Sequence, residues 1–590
     1  MQYPIRRLGF SMIVLLGAAV ASAQRLDLLQ PPGPEQQPGQ RQRPRPQRDA
    51  ARESRPAGTA SISGIVSAAD TGRPLKRARV VVAGAGAARQ PRSALSDERG
   101  RFQVSGLPAG EYSISATKAG YVDVMFGQRR PTGNGTPVQI ADGQQLSNIN
   151  LQLPLGGVIT GRVLDEDGEP LARSFVSVLR YQYVQGTRRL VMAGNDQSDD
   201  RGQFRVYGLS PGEYYVSASG DPTFERILTR AAETESNVAV ADGADGKIDY
   251  APTYYPGVAS LAEASRVKLA VGQELPGIDL QMQMVPMATV RGVVAGAVGR
   301  ANVVLVPDDG LPPGAAMMRG QALRGATQED GTFIIPRVPP GRYTAVAREN
   351  DGRQGAGAAK AGIQPVMVAG QDVSVNLVMT AGAQVSGTIT LEAAAMPVPK
   401  NFGGFRVSLA ALEGVPMPGR LARPGEPADD GTFSISGLMP GRYLIRANGP
   451  SGWMMKSVFL NGRDITDTPL DIKGDTVTDM NVVYTDRITA MNGTVRDSKN
   501  APSAGATVIA FPADSKEWTP QSRRIQAARA DQNGVYRIAA LPPGEYLLVA
   551  VDDVEQGEWF DPAYLEEVKA GATRVTLAEG EQKTQDVKAS

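Results

Sequence analysis

No cysteine and no histidine occurs anywhere in the 590 residues. Their absence removes Ser-His-Asp and Cys-His nucleophiles, along with every zinc site built on nitrogen or sulfur ligands. It also removes the side chain best suited to proton transfer near neutral pH. Catalysis would have to rest on carboxylate, Lys, Tyr or Ser groups, and no disulfide can brace the fold. Aromatic residues are sparse at 6%, with three Trp. No sign of charge is in excess: the formal net charge is +1, which offers no basic face to nucleic acid and no acidic field to cations. Beyond the N-terminal segment, no apolar run reaches membrane-spanning length.

Glycine and proline are abundant instead, at 67 and 43 residues, which points to many turns and few long helices. The length exceeds what one hydrophobic core can organise, so several domains are expected. Residues 1–23 have the make-up of a secretory signal peptide. Arg6 and Arg7 supply the positive start, Leu8 to Val20 the short apolar run, and Ala21-Ser22-Ala23 the small-residue cleavage pattern. The mature chain is therefore expected to be exported: periplasmic, associated with the cell surface, or extracellular. No Cys follows the signal, so lipid attachment there is excluded. Residues 24–58 are rich in Pro, Gln and Arg and poor in apolar side chains, which predicts a disordered linker. A basic docking arm is the alternative for that stretch.

The remainder repeats. Asp-x-x-Gly-x-aromatic-x-apolar, followed by Gly-Leu-x-Pro-Gly-x-Tyr, recurs with small variations. Its first glycines are Gly100, Gly202, Gly331, Gly431 and Gly534, at spacings of 102, 129, 100 and 103 residues. A period near one hundred residues is that of a whole domain rather than a solenoid unit. Each repeat opens with an apolar-x-Gly-x-apolar strand: Ile62 to Val66, Ile159 to Val163, Val290 to Val294, Val385 to Ile389 and Met491 to Val495. Each closes with a Gly followed by an alternating strand, as in Gly143 to Leu153 or Gly370 to Met379. Alternation such as Tyr112-x-Ile114-x-Ala116 has the period of a strand buried on one face.

About seven short strands per repeat predict an all-β chain of five tandem antiparallel β-sandwich modules, transthyretin-like or Ig-like, over 59–154, 155–285, 286–380, 381–484 and 485–590. In the motif, Asp bonds its own turn and Gly supplies positive φ at positions such as Gly202 and Gly431. The aromatic and the next apolar residue point inward. Pro-Gly then reverses the chain into a Tyr strand, whose hydroxyl needs a partner.

The opening Gly-x-Val strand with Asp-x-x-Gly-x-Phe and Gly-Leu-x-Pro-Gly-x-Tyr resembles the carboxypeptidase regulatory-like domain. That domain is a transthyretin-like sandwich also grouped with carbohydrate-binding-like folds and adhesin B-type repeats. The resemblance extends over most of residues 59–590, in a class of secreted bacterial multi-domain proteins. It implies a fold more firmly than a function. The Lys–Asn cross-link of some adhesin repeats needs a Lys in the opening strand, and all five opening strands lack one.

Candidate sites are few. Asp199-Asp200, Asp429-Asp430 and the acidic run from Asp242 to Asp249 could suggest calcium, but turn chemistry accounts for them and no metal or other cofactor is expected. Tyr254 and Tyr255 in the second repeat and Trp559 and Phe560 in the fifth occupy the same place, after the Tyr strand, as Met125-Phe126 does in the first. With Trp453, they are the candidate binding residues, either stacking on sugar rings or gripping a peptide. Plugging the open ends of the cores is the alternative. The function expected is therefore that of a non-catalytic exported binding protein, for glycan or for an envelope protein or peptide. A structural scaffold of the envelope is the alternative, and a carboxylate-based hydrolase a remote one.

Overall fold

A computed structural model describes residues 58–589, apart from 85–89, 131–132, 185, 221–247, 298, 309–322, 350–359 and 413–424. The expected signal peptide, nearly all of the linker and most of the acidic run after Asp242 lie outside the described residues.

The chain is all-β, as its turn-rich, alternating sequence requires. Five hydrophobic clusters each enclose one copy of the motif. The first holds Phe102, Val104, Leu107 and Tyr112, and the third holds Phe333, Ile335, Val338 and Tyr343. The second, fourth and fifth are built on the same positions.

One pattern of pairing recurs. The opening strand lies antiparallel to the motif strand, as in Ala60–Ala68 against Arg101–Leu107. The Tyr strand pairs in a second sheet with the strand that follows the opening one, as in Gly110–Thr117 against Arg79–Gly84. The closing strand returns to the first sheet and runs parallel to the opening strand. Each sandwich is thus mainly antiparallel, with one parallel pair. Such a pair needs a long crossover, and here the whole second sheet supplies it. In the fourth repeat Met454–Leu460 pairs with both Gly441–Asn448 and Val477–Thr485, which joins the two sheets into one.

The invariant glycine of the opening strand has a steric cause. Gly64, Gly161, Gly292, Gly387 and Gly493 each stand opposite the motif aromatic in the antiparallel register. A Cβ there would lie between 1.7 and 2.0 Å from a carbonyl oxygen next to or within the closing strand. Only glycine lets the two backbones approach this closely.

The turn glycines also behave as expected, with φ of 70° at Gly202 and 82° at Gly431. Four residues before the Tyr strand's own glycine, Gly106, Gly208 and Gly437 sit at φ of 75°, 76° and 79°, whereas the matching positions hold Arg337 at 59° and Ala540 at 60°. A side chain in this region costs roughly 1–2 kcal/mol. Ala540→Gly is therefore expected to stabilise the fifth repeat by about 0.5–1 kcal/mol, less than the full strain because glycine also gains freedom in the unfolded chain. Calorimetry of the full chain, reading the transition of that repeat alone, checks it.

The tyrosine hydroxyls find their partners in the same way five times. Tyr112, Tyr214, Tyr343, Tyr443 and Tyr546 each donate to the carbonyl four residues earlier, at 2.7 Å for Tyr112 and Tyr546 and 2.9 Å for Tyr343 and Tyr443. Burial pushes the Tyr546 phenol up to about 12, so it remains a donor across the ordinary pH range.

Candidate functional site

The structure packs the candidate rings inward. Tyr254 is 3% exposed and sits on Leu179, Leu190 and Tyr215. Tyr255 is half-buried against the second core, and its amide donates to the Val216 carbonyl. Trp453 meets Phe405 edge-on at 5.9 Å, and Phe405 in turn meets Tyr484 at 4.8 Å. Trp559 is 7% exposed in a cluster with Phe511, Trp518, Leu547 and Leu565, with Phe560 packed at its edge. Met125 and Phe126 are half-buried, Phe126 against the first core. A ring buried to this degree has no face to lay on a sugar, and for Tyr254, Trp453 and Trp559 the burial favours the core plug over the contact surface. The hydrophobic gain of a buried large ring exceeds what a solvated loop position could return.

Trp453, Tyr255 and Phe126 join the main sandwich cores, whereas Tyr254, Trp559 and Phe560 belong to a second layer that alternation alone did not reveal. In the fifth repeat Val508 and Ala510 face the sandwich core, while Ile509 and Phe511 face outward beneath the inserted segments around Trp518 and Trp559. Trp518 Nε1 donates to the Pro512 carbonyl at 2.8 Å, and its ring meets Phe511 edge-on at 5.5 Å. Asp561 starts the helix Pro562–Val568 by accepting from the Ala563 amide, and Leu565 of that helix is fully buried. The second repeat does the same with Leu179, Leu190 and Tyr215 beneath Tyr254 and Leu261. The sequence signal was available: Val508-Ile509-Ala510-Phe511 and Tyr546-Leu547-Leu548-Val549 are continuous apolar runs, the mark of strands buried on both faces.

A shallow, open depression lies on the second repeat. It has a volume of about 650 Å³ and is lined by Arg162, Asp196, Gln203, Arg205 and Asp279, among others. Its charges are matched: Arg162 pairs with Asp279 at 3.1 Å, and Arg205 reaches Glu274 at 3.5 Å while its amide donates to Asp196 at 2.7 Å. Tyr207, 56% exposed, stands near the Arg205 guanidinium, 5.9 Å from the ring centre. The paired acids serve their turns. Asp199 accepts from the Arg201 and Gln203 amides, and Asp430 from the amide and hydroxyl of Thr432. Among the described residues no group of three acidic side chains is placed to hold a metal ion.

The landmarks now in place (opening glycine against aromatic, Pro-Gly reversal, tyrosine bonded four residues back) are those of one domain type, and a family model matches both ends of the chain. The model of the carboxypeptidase regulatory-like domain matches residues 61–154 and 490–590. The three repeats between the two matched regions carry the same landmarks in register. A comparison with curated proteins returns no match. Among solved structures, the chain is similar to the minor pilin of Streptococcus agalactiae, at 13% identity over 38% of this chain and 97% of that one, with a TM-score of 0.21. It is also similar to the major pilin subunit of Bacillus cereus, at 12% identity over 55% and 99% of the two chains and a TM-score of 0.13. The full-length major pilin of Streptococcus pneumoniae is 8% identical over 73% and 99%, again with a TM-score of 0.13. Superpositions this partial carry no argument about function.

Proposed function

We propose that the chain is an exported, non-catalytic structural protein of the cell envelope, built of five sandwich modules at the boundaries given above. Its repeats hold one another in place and present surface rather than take up a small ligand. One observation carries this reading: the rings that the sequence marked for contact are spent on packing, and the outer sheet faces of the second and fifth repeats are roofed by their own inserts. Such roofs stabilise a module at the expense of a binding face. Among the described residues no helix is long and apolar enough to cross a membrane, which says nothing of a β-barrel. The acids of the open depression are each engaged by an arginine or an amide, which leaves no free carboxylate pair there for hydrolysis.

An array that binds glycan is the second reading, and the exposed Tyr207 beside that depression favours it. A flat ring next to hydrogen-bonding side chains suits a sugar. Protein beginning at Gln24, tested on a glycan array and by co-sedimentation with envelope polysaccharide, is expected to show no saturable binding. Saturable binding that disappears in Tyr207→Ala, with melting unchanged, replaces the scaffold reading with the binding one.

A further inference from the structure

The fifth repeat touches parts of the chain far from it in sequence. Arg129 of the first repeat pairs with Asp552 at 2.6 Å and donates to the Ala504 carbonyl at 3.2 Å. Beside it Arg130 pairs with Asp553, and the Asn134 amide donates to Gln556. Gln532 reaches back to the Gln139 carbonyl at 3.3 Å. From the second repeat, the tip of the hairpin Phe175–Gln197 arrives at the same ledge. Tyr183 donates to Asp561 at 3.0 Å, and Gly186 packs so closely on Phe560 that a Cβ there would lie 2.6 Å from it. The same Asp561 starts the helix that roofs the fifth core, so one carboxylate serves both the roof and its visitor.

We infer that residues 552–561 form an internal docking surface for the first and second repeats, which closes the chain on itself and is held by surface charge that salt releases. The described residues all belong to one compact unit, as closure requires. The ion pairs are 38–50% exposed, and pairs so open to solvent attract weakly and are readily screened. Each repeat keeps its own core, so separation uncovers little apolar surface. One group at the junction bridges it and is still poorly satisfied: the Arg529 guanidinium donates to the Gly127 carbonyl of the first repeat at 3.5 Å. Arg529 is pushed down to about 10 by burial and by Arg129, and its Nε has no hydrogen-bond partner among the described residues. The contact is therefore weakly held, by exposed pairs and by a guanidinium that is itself poorly satisfied. This inference is independent of the scaffold reading, since the chain can close whether or not it binds a ligand.

The absence of cysteine makes a direct test possible. In the full chain, Asn134→Cys together with Gln556→Cys places the only two thiols at the junction. Mild oxidation is expected to join them within one chain. The rate should fall on the order of tenfold as salt rises from about 0.05 M to about 1 M, where the screening length shrinks to ~3 Å. Reversing the ledge with Asp552→Arg and Asp553→Arg should give a similar loss at low salt. Adding Arg129→Asp and Arg130→Asp should restore the rate, which separates lost attraction from misfolding. A rate indifferent to salt and charge, disulfides formed only between chains, or a fourfold swap that does not recover overturns the inference.

Discussion

Gly292→Ala is expected to destabilise the third repeat by about 3–5 kcal/mol, a severe loss for one methyl group. The added carbon would stand 1.7 Å from the Val375 carbonyl oxygen and 3.1 Å from Phe333 Cε1. Neither obstacle can turn aside as a flexible side chain would. The carbonyl belongs to Val373–Val378, whose ladder with the opening strand must open to make room. The ring fills the core with 1% exposure. Both strands would have to separate, at the cost of hydrogen bonds and packing together. Gly571→Ala is the control: nothing lies within 4 Å of that position, and its expected effect is within about 0.5 kcal/mol. Chemical denaturation of the full chain, followed by hydrogen exchange in the third repeat for Gly292→Ala and in the fifth for Gly571→Ala, reads both. A Gly292→Ala protein that loses less than about 1 kcal/mol would show that the strands are not held as close as described.

Trp559→Ala is expected to cost about 3–5 kcal/mol in the fifth repeat, the usual range for emptying a buried large ring. The indole closes a layer that includes Phe511, Leu547 and Leu565, and truncation leaves a cavity beneath a short helix that cannot collapse without losing its Asp561 start. The loss should appear in the melting transition of the fifth repeat and should not depend on any added glycan. An unchanged transition would return Trp559 to the list of exposed contact residues.

Much of the architecture was legible because it was written five times. A glycine in each opening strand, an aromatic two residues after each turn glycine, and a tyrosine two residues after the glycine of each reversal (Pro-Gly in four repeats, Ala109-Gly110 in the first) are local requirements, and local requirements leave local marks. The all-β class and the equivalence of the Tyr254 and Trp559 positions follow from them. What the marks did not disclose was the second layer. Ile509 and Phe511 face away from the sandwich core, and a search for alternation reads them as interruptions rather than as another buried face. Nor could spacing show that Asp552 and Arg129, more than four hundred residues apart, would meet. Ion pairs between distant segments have no periodicity. They depend on how whole repeats are set against each other, which no single strand encodes.

The parallel pairing of the first and last strands of each repeat also has a mechanical consequence. Strands that enter and leave a domain side by side, pointing the same way, are pulled in opposite directions along their length when the chain is stretched. Their hydrogen bonds are then loaded in shear and must fail together, whereas an antiparallel pair pulled from one end peels bond by bond. The resistance should be graded along the chain. In the third repeat Val290–Ala295 lies against Val373–Val378 without a break. In the first repeat the partner is split into Gln145–Leu146 and Leu151–Leu153. The second and fifth repeats have split partners as well, so under tension the first, second and fifth repeats would yield before the third and fourth, which would lengthen the molecule while those two stay folded.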